Sequence, residues 1–182
     1  MREAADGAGE SEGESEGAAA PVSALTSAKR FERLMMLIGR LNYTWTNTES
    51  VLVPVLAKLM GTEQRPATLV FLTLNTTRAR LDLIERLART GPEPSDELLG
   101  SVRRFRRLAT LRNKLNHSIY SIDPETGAAS TQATRVVNGP DGIEFGRMEE
   151  LDDAEIARIE RAVGELRELN ASFWDWAGRD AG

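Results

Sequence analysis

Ser95-Asp-Glu-Leu-Leu-Gly-Ser-Val-Arg-Arg-Phe-Arg-Arg-Leu-Ala-Thr-Leu-Arg-Asn-Lys-Leu-Asn-His117 carries the clearest helical pattern in this chain. Leu98, Val102, Phe105, Leu108, Leu111 and Leu115 recur at three- and four-residue steps. On a helix that spacing is one apolar stripe, and strands do not keep it. Ser95 or Asp96 supplies the N-cap, so the pattern predicts a helix running to about His117 with one buried side.

Upstream the same period returns. Leu34, Leu37, Ile38, Leu41 and Trp45 predict a helix over about 28–46. Asn47, Thr48 and Ser50 interrupt it as cap-like residues, and Val51, Leu52, Val55, Leu56 and Leu59 resume the stripe, with a kink or fresh start near Pro54 and an end at Gly61. Leu69 to Leu74 fits a buried strand or a buried helix, but the sequel Arg78 to Leu87 is helical, so one helix is expected over about 66–90. Gly91-Pro92-Glu93-Pro94 breaks the chain. Downstream of His117 the period changes to that of short strands, over 118–122, 131–137 and 143–145. These are separated by the turn residues Asp123 to Gly127 and Asn138 to Gly142. Asp152 with Glu155 caps a last helix to about Trp176. The expected fold is all-α: an antiparallel bundle of four to five helices with a small β-hairpin insert, at about 118–146, before the last helix.

Residues 1–27 hold almost no large apolar side chain and are expected to form a disordered acidic tail, leaving one domain over 28–178. The net charge of −5 sits wholly in that tail, so the rest is neutral and bulk charge does not announce nucleic-acid binding. The neutrality is segregated. Arg78–His117 is rich in arginine, including Arg103, Arg104, Arg106 and Arg107, whereas Glu144–Asp175 is acidic. A basic surface and a helix face salt-bridged to the acidic last helix both fit. There is no cysteine, which excludes disulfides and cysteine–zinc sites. No apolar run reaches membrane-spanning length and no signal-peptide core is evident, so a cytoplasmic protein without a membrane anchor is expected.

One histidine, His117, bounds the chemistry. Any histidine base must be this one, and neither a nucleophile elbow nor a Gly-rich phosphate loop occurs. Acid pairs such as Asp152 and Asp153 read as capping residues, and no metal or cofactor is called for. Arg112, Asn113, Asn116 and His117 gather at the end of one helix. Asn113 and His117 are four apart, so an amide–imidazole hydrogen bond is feasible, and the long Arg112 side chain can reach a phosphate held near the imidazole. An imidazole removes a ribose proton and a guanidinium holds the phosphate's developing charge, which suits phosphodiester chemistry without a metal. A helix C-terminus also favours Arg and His through its dipole alone. Arg103 and Arg107 suit either an RNA backbone or salt bridges to the last helix. Trp45, Trp174 and Trp176 suit base stacking or packing, and Glu49 a cleft, a cap or the surface.

Leu111-Arg112-Asn113-Lys114-Leu115-Asn116-His117 resembles the signature of the HEPN superfamily (higher eukaryotes and prokaryotes nucleotide-binding): Arg, four to six residues, then His, often with a polar residue after the Arg. The expected order of elements is also similar, over about residues 29–177. The resemblance implies a homodimer in which two motifs meet in one composite cleft. It further implies a metal-independent endoribonuclease on single-stranded RNA, of toxin or phage-defence type, restrained by an antitoxin or regulatory partner. Arg112 and His117 would be catalytic, with Asn113 orienting the site. Apart from the resemblance, Arg103, Arg107 and Asn116 are the candidates for contact with RNA. The family also contains non-catalytic interaction and nucleotide-binding modules, which is the alternative. One subgroup, paired with a nucleotidyltransferase, has a Tyr two residues after the His. Here Tyr120 is three residues after, so its modification is not implied.

Overall fold

The computed structural model describes residues 22–91, 95–123, 126–136 and 142–179. They form helices α1 (Val22–Ser50), α2 (Leu52–Leu59), α3 (Gln64–Thr73), α4 (Thr77–Thr90), α5 (Asp96–Asn116) and α6 (Asp153–Gly178). Strands β1 (Ser118–Ile122), β2 (Ala129–Val136) and β3 (Ile143–Glu150) lie between α5 and α6. The fold is therefore an all-α bundle with a small β insert before its last helix. Expected disorder over 1–21, and the tips of both turns between the strands, lie outside the described residues.

Among the strands, β2 starts at Ala129 and β3 runs on to Glu150, against expected spans of 131–137 and 143–145. Among the helices, three boundaries differ from the sequence expectation. First, α1 begins at Val22, so residues 22–27 belong to the helix rather than to the tail. Ala24, Leu25 and Ala28 are strong helix formers, and a packed helix extends through such residues at little cost. Second, α1 runs through Asn47–Ser50. Thr48 does not cap: its hydroxyl is buried and donates to the carbonyls of Thr44 (2.8 Å) and Leu166 (3.2 Å). The break comes at Val51, and Pro54 falls in the first turn of α2, where its missing N–H has no helical partner to lose. Third, the helix expected over 66–90 is two helices. Leu74 is extended, and the Thr76 hydroxyl accepts from the Ala79 N–H at 3.1 Å, a new N-cap. The apolar run Leu69–Leu74 is not a core segment throughout, since Leu69 and Leu72 are exposed.

The anticipated caps of the long helices form. Ser95 Oγ accepts from the Leu98 N–H (3.2 Å) and Asp152 Oδ1 from the Glu155 N–H (2.8 Å). Gly61 takes a positive φ of 58° where α2 stops, a conformation only glycine adopts cheaply. The core joins the stripes of α1, α5 and α6. Trp45 stacks on Phe105 at 4.3 Å between centroids, and Phe105 meets Phe173 edge-on at 6.0 Å, all three fully buried. Arg104 pairs with Glu165 and Glu168, while Arg179, after α6, pairs with Glu97 at the start of α5, so α5 and α6 are antiparallel. Arg33 meets Glu160 and Thr48 meets Leu166, so α1 and α6 run in the same direction.

The insert is an antiparallel sheet in the order β1-β2-β3, with a register shift between Gln132 and Thr134. It is tied to the bundle at its root. Tyr120 donates its hydroxyl to the Leu115 carbonyl (2.6 Å), and Lys114 pairs with Glu149 and, at 3.5 Å, with Glu155. No helix among the described residues is long and apolar enough to cross a membrane.

Candidate functional site

Helix α5 ends where the chain must turn into β1. His117 is its C-cap, with φ −114° and ψ 12°, and its N–H still donates to the Asn113 carbonyl at 3.0 Å. The imidazole is thereby presented, exposed, at the end of a rigid helix. Beside it opens a cleft of about 800 Å³, walled by α1 (Trp45, Glu49), the α3–α4 junction (Asn75 to Arg78, Arg80) and α5 (Arg106, Ala109, Thr110, Arg112, Asn113), with His117 at its end. On α5, residues 106, 109, 110, 113 and 117 lie on one face by helical spacing. Arg112 lies roughly 100° round from Asn113. Its side chain joins the cleft by lying over the Trp45 ring (5.6 Å to the centroid) and donating from Nη1 to Asn113 Oδ1 at 3.1 Å.

The expected amide–imidazole bond is thus replaced: Asn113 orients the guanidinium, not the histidine. Asn113, Arg112 and His117 do share the cleft. Asn116 does not line it. Its amide exchanges hydrogen bonds with Asn42 (2.8 and 3.0 Å), clamping the end of α5 to α1. Arg103 and Arg107 also lie outside the lining. Arg103 is exposed, and Arg107 is 3.7 Å from Glu165 of the last helix. Tyr120 is half-buried, and burial pushes its phenol pKa up.

Charge within the cleft is arranged by pairing. Arg106 sits on Asp82 (2.8 Å) and Glu85 (2.9 Å), and Arg78 lies 3.8 Å from Asp82. Arg80 pairs with Glu49 (2.9 Å), donates from Nε to the Phe71 carbonyl (3.2 Å) and stacks on the Phe71 ring (3.9 Å). Thr77 donates to the same Glu49 oxygen at 2.6 Å. Among the described residues, Arg112 is the cleft arginine with no carboxylate partner. Its Nε and the Trp45 Nε1 are buried donors without a hydrogen-bond partner. A cleft wall that carries one guanidinium without a carboxylate is complementary to an anion.

Glu49, Arg80 and Thr77 all line the cleft. For Glu49 the sequence left a cleft, a cap and the surface open, and Arg80 and Thr77 were not singled out. Their signal was the Asn75-Thr76-Thr77 turn chemistry, which the apolar run before it obscures. Among the described residues no group of three or more His, Asp or Glu side chains gathers that could hold a metal ion. No protein-family model, curated protein or solved structure matches this chain.

Proposed function

We propose that the cleft is the active site of a metal-independent endoribonuclease acting on single-stranded RNA, with the chain working as a homodimer. The observation that carries this reading is the convergence of His117 and the unpaired Arg112 on one cleft. The resemblance of Arg112–His117 to the HEPN signature supports it. The His117 imidazole takes the proton of a ribose 2′-hydroxyl, and the 2′-oxygen attacks the adjacent phosphorus. The phosphorane's added charge falls to Arg112, held in place by Asn113. The bond to the 5′-oxygen then breaks, that oxygen takes a proton from solvent, and the products are a 2′,3′-cyclic phosphate and a free 5′-hydroxyl. A toxin or phage-defence role, with an antitoxin covering the cleft, fits such a nuclease.

The test is cleavage of a mixed-sequence RNA in EDTA by wild type, Arg112→Ala and His117→Ala. Cleavage by wild type alone, with cyclic-phosphate ends, is expected, and each variant should lose at least about a hundredfold in rate. No cleavage, or equal cleavage by all three, moves the reading to a non-catalytic dimeric or nucleotide-binding module.

A further inference from the structure

A second polar groove, of about 230 Å³, runs between α1 and α6. Arg40, Tyr43 and Asn47 line it from α1, and Arg167 and Asn170 from α6. The spacing i, i+3, i+7 on α1 and i, i+3 on α6 turns one row of each helix to the groove. At 100° per residue, the Arg40 row lies roughly 160° round α1 from Trp45 and Glu49. The groove and the cleft are therefore on opposite sides of that helix.

The composition of this groove is unusual for this molecule. Two exposed guanidiniums line it and no carboxylate does. Arg33 of α1 and Arg104 of α5 both sit on glutamates of α6, whereas among the described residues Arg40 and Arg167 have no ion-pair partner. Two like charges sharing one groove repel, and an anion between them relieves the repulsion. The Tyr43 ring beside them is 71% exposed, and Trp174, one turn beyond Asn170 on α6, is 52% exposed. Asn47 and Asn170 present amides that both donate and accept. Guanidiniums for phosphates, an open aromatic face for a base and amides for base edges match a single strand of nucleic acid. A protein interface also uses Arg and Tyr, but around a centre of aliphatic and aromatic side chains, and no aliphatic side chain lines this groove.

We propose that the α1–α6 groove binds single-stranded RNA, with backbone phosphates on Arg40 and Arg167 and a base stacked on Tyr43. The site does not require the cleft to be catalytic. The experiment is fluorescence anisotropy of a labelled oligouridine of about 10 nucleotides, long enough to span a single-strand site. It is titrated with wild type, Arg40→Ala/Arg167→Ala, Tyr43→Ala and the charge-matched Arg65→Ala/Arg86→Ala. All the substituted side chains are exposed, so folding is preserved, and circular dichroism checks it. The groove pair should weaken binding at least tenfold and flatten the salt dependence by about 1.4 in slope, the release expected for two single-strand phosphates. Tyr43→Ala should weaken it about fivefold or more. The same tenfold loss should appear in an Arg112→Ala/His117→Ala background, which separates this site from the cleft. Three results would each overturn the proposal: no RNA binding by wild type, equal losses in the groove pair and its charge-matched control, or a changed oligomeric state with unchanged RNA affinity.

Discussion

Glu49→Gln tests how the cleft keeps its cations in check. Glu49 and Arg80 are 14% and 17% exposed at their side chains and 2.9 Å apart, so the pair is neither fully solvated nor sealed. Glutamine keeps the oxygen that accepts from Thr77 and removes the charge opposite Arg80. Stranding one member of a fully buried pair costs about 3–5 kcal/mol, and losing a hydrogen bond to a charged group about 1.5–3 kcal/mol. Arg80 retains the Phe71 carbonyl at 3.2 Å and the Phe71 ring at 3.9 Å, and its remaining donors face an open cleft. The expected loss is therefore at the lower end, about 2 kcal/mol, or a fall in Tm of about 4–8 °C for a domain of this size. The freed guanidinium also adds a second unpaired charge beside Arg112. Inorganic phosphate should then raise the Tm of Glu49→Gln more than that of wild type. Thermal unfolding followed by circular dichroism, with and without phosphate, reads both effects. A variant as stable as wild type, or one with the wild-type phosphate response, would refute the reasoning that Glu49 holds Arg80 back from an anion.

Two further outcomes follow from single contacts. Thr76→Ala removes the cap that starts α4 and should lower stability by about 1 kcal/mol in urea unfolding, with Thr76→Ser restoring it. The Lys114–Glu149 pair makes the insert's attachment pH-dependent. The hydrogen bond with Glu149, aided by the charges of Glu155 and Glu149, holds the Lys114 ammonium pKa above its ordinary value, and the same bond holds the Glu149 carboxyl below its own. A raised lysine stabilises below its unfolded value of about 10.4 and is lost as pH rises through the folded value. A depressed glutamate stabilises above about 4.3 and is lost as pH falls through its folded value. The Tm gap between wild type and Lys114→Met should therefore be widest between about pH 5 and 10, at no more than about 2–4 °C because Glu149 is exposed. It should close at low pH and shrink at high pH.

The periodic stripes of α1, α5 and α6 were legible because each buries one face continuously. Leu34 to Trp45, Leu98 to Leu115 and Ile156 to Phe173 are core residues as their spacing demands. The helix over 66–90 was misread because Leu69–Leu74 is apolar in sequence while two of its leucines face outward. The side-chain cap at Thr76 then outweighs the continuity of the run. Thr48 misled for the opposite reason: its hydroxyl finds carbonyls within and across helices, which no local pattern announces. At the site, Arg112, Asn113 and His117 were legible as a cluster because they are close in sequence. Glu49, Thr77 and Arg80 were not, since only the packing of α1 against the α3–α4 junction brings them to the same cleft. Asn116 read as a site residue by proximity, but one residue of helical phase turns it to Asn42 instead.

The same packing resolves the tension between a neutral domain and the proposed anion site. Bulk charge counts every arginine equally, but a guanidinium that already holds a carboxylate has little left for a phosphate. The acidic last helix takes Arg104 and Arg107, and α4 takes Arg106, so the basic run of α5 is largely spent inside the fold. Among the arginines left without a carboxylate, Arg112 lies over Trp45 on one side of α1, and Arg40 and Arg167 share a groove on the other. On the proposed reading, a domain built this way attracts polyanions weakly at long range and holds them by a few placed contacts. Its RNA affinity should then depend on those three arginines far more than on total charge, and neutralising the same number of exposed arginines elsewhere should leave it nearly unchanged.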